Sequence, residues 1–265
     1  MKLSAYVSGL GMLGPGLSNW TEAAAVLAGR AAHAPAPTVL PTPTLLAAAE
    51  RRRTGRVVKL ALAVAMEATS QAGEDPAELV SVFSSSGGDG HNCHELCQAL
   101  SLPGREISPT RFANSVHNAA AGYWSIATGA MAASNVLCAF DASFNAGLLE
   151  AMTQVTVDGV PVLLVAYDSE YPQPLHAKRP LPDAFGVAMV LTPQRRASSS
   201  ARLDATLSDD AHDRMADPAL EELRRAIPAA RSLPLLRLLA RAEAGRAVLE
   251  YLDVSRVAVQ VEPCI

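Results

Sequence analysis

The segment order predicts an α/β fold: a mixed, mostly parallel five-stranded sheet with helices on both faces, followed by a C-terminal extension of helices and strands. Three observations carry that expectation. Apolar strand-like runs alternate with amphipathic stretches as far as Pro193, the pattern of a layered α/β sheet. The run "ELVSVFSSS" is apolar enough to be covered on both faces, as central parallel strands are. The stretch "NVLCAFDASFNAGLLEA", Asn135 to Ala151, runs apolar, stops at small residues and turns amphipathic, which reads as a strand delivering the chain into a tight turn that opens a helix.

In chain order, "SAYVSGLGML" is the first strand and ends at the turn Gly14 to Gly16. Ser18 is expected to cap the helix "NWTEAAAVLAGR", which Gly29 helps to end. Residues 33 to 43, "HAPAPTVLPTP", hold too much proline for regular structure. A long helix follows from Leu45 to about Ala72, interrupted around Gly55, with Val58, Leu60, Ala63 and Val64 on one side. After the second strand, Gly87, Gly88 and Gly90 break the chain before the short helix "HNCHELCQAL". "ISPTRFANSVHN" is expected to be irregular and leads into the helix "AAAGYWSIATGAM". Beyond the strand and helix at Asn135, Gly159 and Pro161 mark a stop, and "VLLVAY" and "AFGVAMVLTP" are further strands. "RRASSS" marks a boundary, dividing the chain into residues 1–196 and an extension, 197–265, expected to pack back on the core. That extension reads as a strand "RLDATL", two helical stretches within "PALEELRRAIPAARSLPLLRLLARAEAGRAVLEYL" and a closing strand "RVAVQVEP".

Composition excludes several functions. With 265 residues and 49% hydrophobic content the chain can bury a sizeable core. A formal charge of −4 supplies no footprint for nucleic acid or an anionic membrane. The N-terminal "MKLSAYVSGLGMLG" lacks the apolar core and cleavage site of a signal peptide, and no segment is apolar over a bilayer-spanning length, so a cytoplasmic location is expected. Cys93, Cys97, Cys138 and Cys264 are too few and too irregular for a disulfide framework and read as reduced thiols.

Four patterns bear on chemistry. Gly9-x-Gly11-x-x-Gly14 has the spacing of a dinucleotide turn, but Pro15 and Gly16 intervene before the helix and no acidic residue ends the next strand; close backbone packing is the better reading, and no cofactor is expected. His91, Cys93, His94 and Cys97 are close in sequence, yet no second ligand pair completes a metal site, so no metal is expected either. His117 reads as a polar residue at a helix start or as a base. At the strand-to-helix turn a nucleophile would be backed by a helix N-terminus. Cys138 lies inside the strand and Ala142 has no chemistry; Ser143 has a hydroxyl, but "DASFNAG" departs from the G-x-S-x-G elbow and neither His176 nor His212 is placed to serve as base.

The ordered segments "VSGLGMLGPG", "VFSSSGGDG", "REISPTRFANSVHNAAAG" and "AFDASFNAGLLEAMTQVTVDG" resemble the N-terminal half of β-ketoacyl synthases, condensing enzymes of the thiolase-like fold, over roughly Ser4 to Pro193. The resemblance implies a single thiolase-like half. It puts the family's active-site cysteine at the turn before the helix ending at Gly159, a count that lands on Ala142 or, one residue on, Ser143. No cysteine stands at either, and the family's HGTGT-type histidine motif is absent from the sequence. The resemblance therefore implies a chain length factor, the inactive partner of an active ketosynthase in polyketide or aryl polyene biosynthesis of the xanthomonadin type. Such a chain is expected to form a heterodimer, to meet acyl carrier protein, and to form a homodimer when alone. By the same resemblance Asn135, Val136, Leu137, Cys138, Ala139 and Phe140 make the dimer strand; Thr110, Arg111, Phe112, Val116 and His117 line the interface; and Cys93, His94 and Cys97 are candidate tunnel gates. The competing readings are an acyltransferase or thioesterase using Ser143 or Cys138, and a self-associating scaffold. "PLLRLLARAEAGRAVLEYL" is expected to act as an amphipathic lid over the face that a missing second half would leave bare.

Overall fold

The computed structural model describes residues 2–264. Among them, β1 (Leu3–Leu13), β2 (Val80–Ser84), β3 (Ser134–Leu137), β4 (Val162–Asp168), β5 (Phe185–Thr192), β6 (Ala201–Ser208), β7 (Gly245–Glu250) and β8 (Arg256–Pro263) form one sheet of order β3-β2-β4-β5-β1-β6-β8-β7. The helices are α1 (Trp20–Leu27), α2 (Ala48–Arg51), α3 (Arg56–Ala72), α4 (Gly90–Ser101), α5 (Pro109–Ala113), α6 (Ala119–Thr128), α7 (Ser143–Val157), α8 (Leu175–Lys178), α9 (Pro218–Ala226) and α10 (Leu233–Arg241).

The α/β class with helices on both faces stands, but the sheet differs from the expected mostly parallel five strands. It has eight, and only β2 runs parallel to its neighbours β3 and β4; every other pairing is antiparallel. The reason lies in the connections. A parallel return needs a crossover of a dozen or more residues, usually a helix, and the β4–β5 link holds only the single turn of α8, so β5 comes back antiparallel. β6 then adds to the free side of β1, from Leu3↔Ala205 to Val7↔Ala201, and β7 and β8 form a hairpin beyond it. Residues 201 to 263 thus continue the same sheet.

Local readings need smaller corrections. Asn19, not Ser18, caps α1, its side chain accepting the Glu22 amide. Part of "ISPTRFANSVHN" is helical, with Ser108 capping α5. The stretch expected to be helical through Leu252 stops at Arg241, where Ala242 takes φ +50, and Gly245 begins β7.

Two apolar layers sandwich the sheet. On one face α3 lies across β1, β5 and β4, with α6 beside it. Gly9 and Gly11 lie within β1, where a Cβ would strike the Ala68 and Val64 carbonyls of α3; the glycine spacing serves close packing. On the other face α7 packs against β4, β1 and β2, flanked by α1, α9, the 3-10 turn Pro228–Ser232 and α10. α10 buries Leu233, Leu235, Leu236 and Leu239 in this layer, each stabilising the fold by about 1.5–3 kcal/mol.

Candidate functional site

The chain leaves β3 at Leu137 and reaches α7 at Ser143 through a sharp corner at Phe140. Phe140 has φ +51, a left-handed conformation that costs a residue with a Cβ about 1–2 kcal/mol. Ser143 holds the corner: its hydroxyl donates to the Phe140 carbonyl (2.7 Å) and accepts the Ala139 amide (3.1 Å). It is buried as the first residue of α7, and Ala142, also buried, precedes it. The Ser143 proton is thus committed to backbone. Cys138 lies two residues before the corner, exposed, its thiol donating to the Ser86 carbonyl (3.2 Å).

What the corner presents is an aromatic ring. Phe140 is 59% exposed, and the Arg179 guanidinium lies 3.7 Å from its centroid, a cation–π contact. Arg179 also donates to Asp141 (2.6 Å), whose other oxygen accepts Arg231 (3.1 Å). Arg231 reaches Glu250 at the end of β7 (3.5 Å), and Glu250 accepts Arg224 (2.6 Å). Arg224, 3% exposed, forks onto both oxygens of Glu221 at 2.8 Å. That fork holds Glu221 down to about 2. His212 lies against Glu250 (3.5 Å) in this cluster and is pushed down, burial being the largest cause. Alternating charges therefore tie the corner to the C-terminal segment. Behind them, buried Asp168 accepts the amides of Ser86 (2.8 Å) and Ala229 (2.9 Å); burial raises it to about 6 although those bonds and Arg179 oppose the shift. Phe140, Arg231 and the β7–β8 turn at Leu252 and Val254 border a cleft of about 740 Å³.

The second feature is the sheet edge. Among the described residues β3 pairs only with β2, through Ser81↔Ser134 to Ser84↔Leu137. Its inward carbonyls include those of Ala133, accepting Ser81, and Leu137, accepting Ser85, so the strand's alternation turns the Val136 amide outward. Asn135 donates from its side chain to Glu150 (2.8 Å). Large apolar side chains nearby in sequence stand exposed: Phe112, Val116, Ile126 and, three residues before β3, Met131 at 94%. Thr110, Val116 and Ile126 line one groove of about 520 Å³. Arg111 pairs with Glu95 on α4 (3.3 Å), and its carbonyl accepts Asn92 (2.8 Å). His117 packs near Gly88 with its Nε2 buried and unpartnered. Cys93 and Cys97 are exposed on α4, with His94 half-buried; burial first, then Cys97, raises the Cys93 thiol.

The structure thus gathers Thr110 and Val116 in one groove and Asn135 to Leu137 on one edge, and sets Phe140 apart as the corner residue. Sequence reading missed Arg179, Asp141, Arg231, Glu250 and Arg224, which are scattered along the chain and meet only through the fold. Among the described residues no group of three or more His, Cys, Asp or Glu is arranged for a metal ion, and no helix is long and apolar enough to cross a membrane.

The fold as a whole has counterparts among solved structures. The structure superposes on a chain of the ketosynthase (ApeO) in complex with its chain length factor (ApeC) from Xenorhabdus doucetiae, with TM-score 0.71 and 25% identity, covering 97% of this chain and 99% of that one. It superposes on a chain of the ishigamide ketosynthase/chain length factor (TM-score 0.72, 12% identity, 99% of this chain and 100% of that one). It also matches a chain of AntDE:AntF, a type II polyketide synthase acyl-carrier protein in complex with its ketosynthase (TM-score 0.74, 12% identity, all of both chains). The latter two likenesses establish fold alone. No curated protein sequence matches. The family model of the β-ketoacyl synthase N-terminal domain matches residues 19–245, from the cap of α1 to the first residue of β7, and with that match the chain belongs to the β-ketoacyl synthase N-terminal domain family.

Proposed function

We propose that this chain is a chain length factor: a non-catalytic subunit that pairs with an active ketosynthase and shapes the space into which that enzyme extends a carrier-bound polyketide or aryl polyene chain. The observation that carries the reading is Phe140. At the strand-to-helix corner, where a condensing enzyme needs a thiolate, this chain presents a phenyl ring stacked under Arg179. A ring has no proton to give and forms no thioester. The Ser143 hydroxyl behind it is spent on the backbone of the corner. The work open to such a site is that of a wall.

The bare β3 edge supports the pairing half of the proposal. Its outward Val136 amide and the exposed Phe112, Val116, Ile126 and Met131 would be a liability in a lone chain and are suited to meeting a partner's edge strand. In this reading Asn135 to Phe140 and Thr110 to His117 face the ketosynthase, Cys93, His94 and Cys97 lie near the acyl tunnel, and carrier protein docks on the assembled pair in the cytoplasm. Without a ketosynthase the same edge makes a homodimer.

Intact-mass measurement after incubation with acyl-carrier or acyl-CoA thioesters tests the catalytic half. The expected spectrum is that of the unmodified chain. A stoichiometric acyl adduct, lost in Ser143→Ala or in Cys138→Ala, replaces this reading with an acyltransferase or thioesterase.

A further inference from the structure

The slot between the proline-rich loop and α3 has no part in the pairing described above. It has a volume of about 230 Å³, and its loop wall is anchored on both sides. Thr38 pins the loop from one side, its amide donating to Asp183 (2.7 Å) and its hydroxyl to the Ala184 carbonyl (2.8 Å); Leu46, buried at 2% exposure, pins the other. Between those anchors the rings of Pro41 and Pro43 fix their own φ angles, so this wall loses little entropy in standing away from the helix. The floor is Leu62 and Met66 of α3. The space exists because Ala63 and, at the end of α6, Ala127 carry only a methyl group where larger side chains would fill it.

Polar groups without a protein partner border this slot. Half-buried Lys59 lines it, and among the described residues its ammonium makes no ion pair or hydrogen bond; Thr42 and Thr44, exposed at its rim, likewise make no side-chain hydrogen bond among the described residues. An apolar slot with one ammonium and two hydroxyls is complementary to a carboxylate on an apolar body. At about 30 Å³ per water-sized group the volume holds about eight. The Met66 thioether favours an aromatic ring over an alkyl chain of equal size. We propose that this slot binds a small aromatic monocarboxylate of the size of benzoate, with the carboxylate on Lys59 and the ring between Met66 and the proline wall. The site is independent of whether the chain pairs with a ketosynthase.

Benzoate is the probe, and the methyl resonance of Met66 in methyl-13C-methionine-labelled full-length chain, assigned with Met66→Leu, is the readout. A saturable shift is expected with benzoate. Benzamide, isosteric but uncharged, should bind about tenfold more weakly, as should benzoate to Lys59→Gln, the loss expected for one charge-assisted hydrogen bond. Ala63→Leu should fill the slot and abolish the shift while the chain keeps its circular dichroism spectrum. No saturable shift with benzoate, or equal binding of benzamide and benzoate, overturns the proposal. So does unchanged binding in either Lys59→Gln or folded Ala63→Leu.

Discussion

The two edges of the sheet are treated in opposite ways. At β7 the outer side is closed by the chain itself: the Asp213 amide donates to the Val248 carbonyl (2.8 Å), and the Val248 amide donates to the Asp213 carboxylate (2.9 Å). One aspartate thus imitates a neighbouring strand at Val248, in the middle of β7, and satisfies that residue's outward amide and carbonyl. At β3 no segment among the described residues supplies such a partner. Met131, three residues before it, is 94% exposed. A fold that blocks one edge with a dedicated carboxylate and leaves the other open has a use for the open one. For the proposed pairing the contrast is a stronger argument than apolar exposure alone, because isolated exposed apolar residues are ordinary.

The largest effect should come from removing what anchors the closed edge. Arg224→Ala leaves Glu221 and Glu250 facing each other at the end of β7 without their shared cation, a loss of about 3 kcal/mol by the measure of broken buried pairs. Urea unfolding of the two chains checks it. Next is the open edge. Val136→Pro removes an outward amide and no inward one, so the chain should stay folded, as proline is tolerated on edges, while its affinity for a ketosynthase falls at least tenfold by sedimentation. Asp213→Ala should uncap β7, costing about 1–2 kcal/mol and producing concentration-dependent self-association that Val136→Pro does not remove. The smallest effect is on pH dependence. Asp168 titrates at about 6 in the folded chain, above its unfolded value near 4, so folding takes up a proton between those pH values. Its contribution to stability is largest below pH 4 and lost as pH rises to 6. Asp168→Asn should flatten that part of the stability profile without altering either edge.

How much of this was legible in the residues differs between the same two regions. The elements up to β5 announce themselves, because β2 and β4 are short apolar runs and α3 repeats apolar positions at helical spacing. The β7 edge does not. Its residues Gly245–Glu250 include Ala, Leu, Arg and Glu, strong helix formers, and follow directly on the amphipathic α10; the fold overrides propensity by ending α10 at an alanine with positive φ and pairing β7 with β8. The direction of the strands was hidden for a related reason, since strand–helix alternation does not reveal whether a connection crosses over or turns back.

The corner was legible as a corner and not as a residue. Small side chains after β3 mark the turn, but nothing in "CAFDAS" says that the phenylalanine takes the left-handed conformation, which aromatic residues rarely adopt. Nor does sequence place Arg179, 39 positions after Phe140, on its ring, or Arg231 on Asp141; these contacts depend on where α8 and the 3-10 turn are carried by the sheet. Cys138 and Ser143 drew attention by their chemistry, whereas the ring between them is what the corner displays.

The central claim is that this chain works by shape and by its open edge. Native mass spectrometry of the chain co-expressed with a ketosynthase, coupled to a malonyl-thioester condensation assay on each species, tests it most directly. The account predicts a one-to-one heterodimer that condenses, a chain that on its own forms no carbon–carbon bond, and loss of the heterodimer in Val136→Pro. Condensation by the isolated chain, or a heterodimer undiminished in folded Val136→Pro, would contradict it.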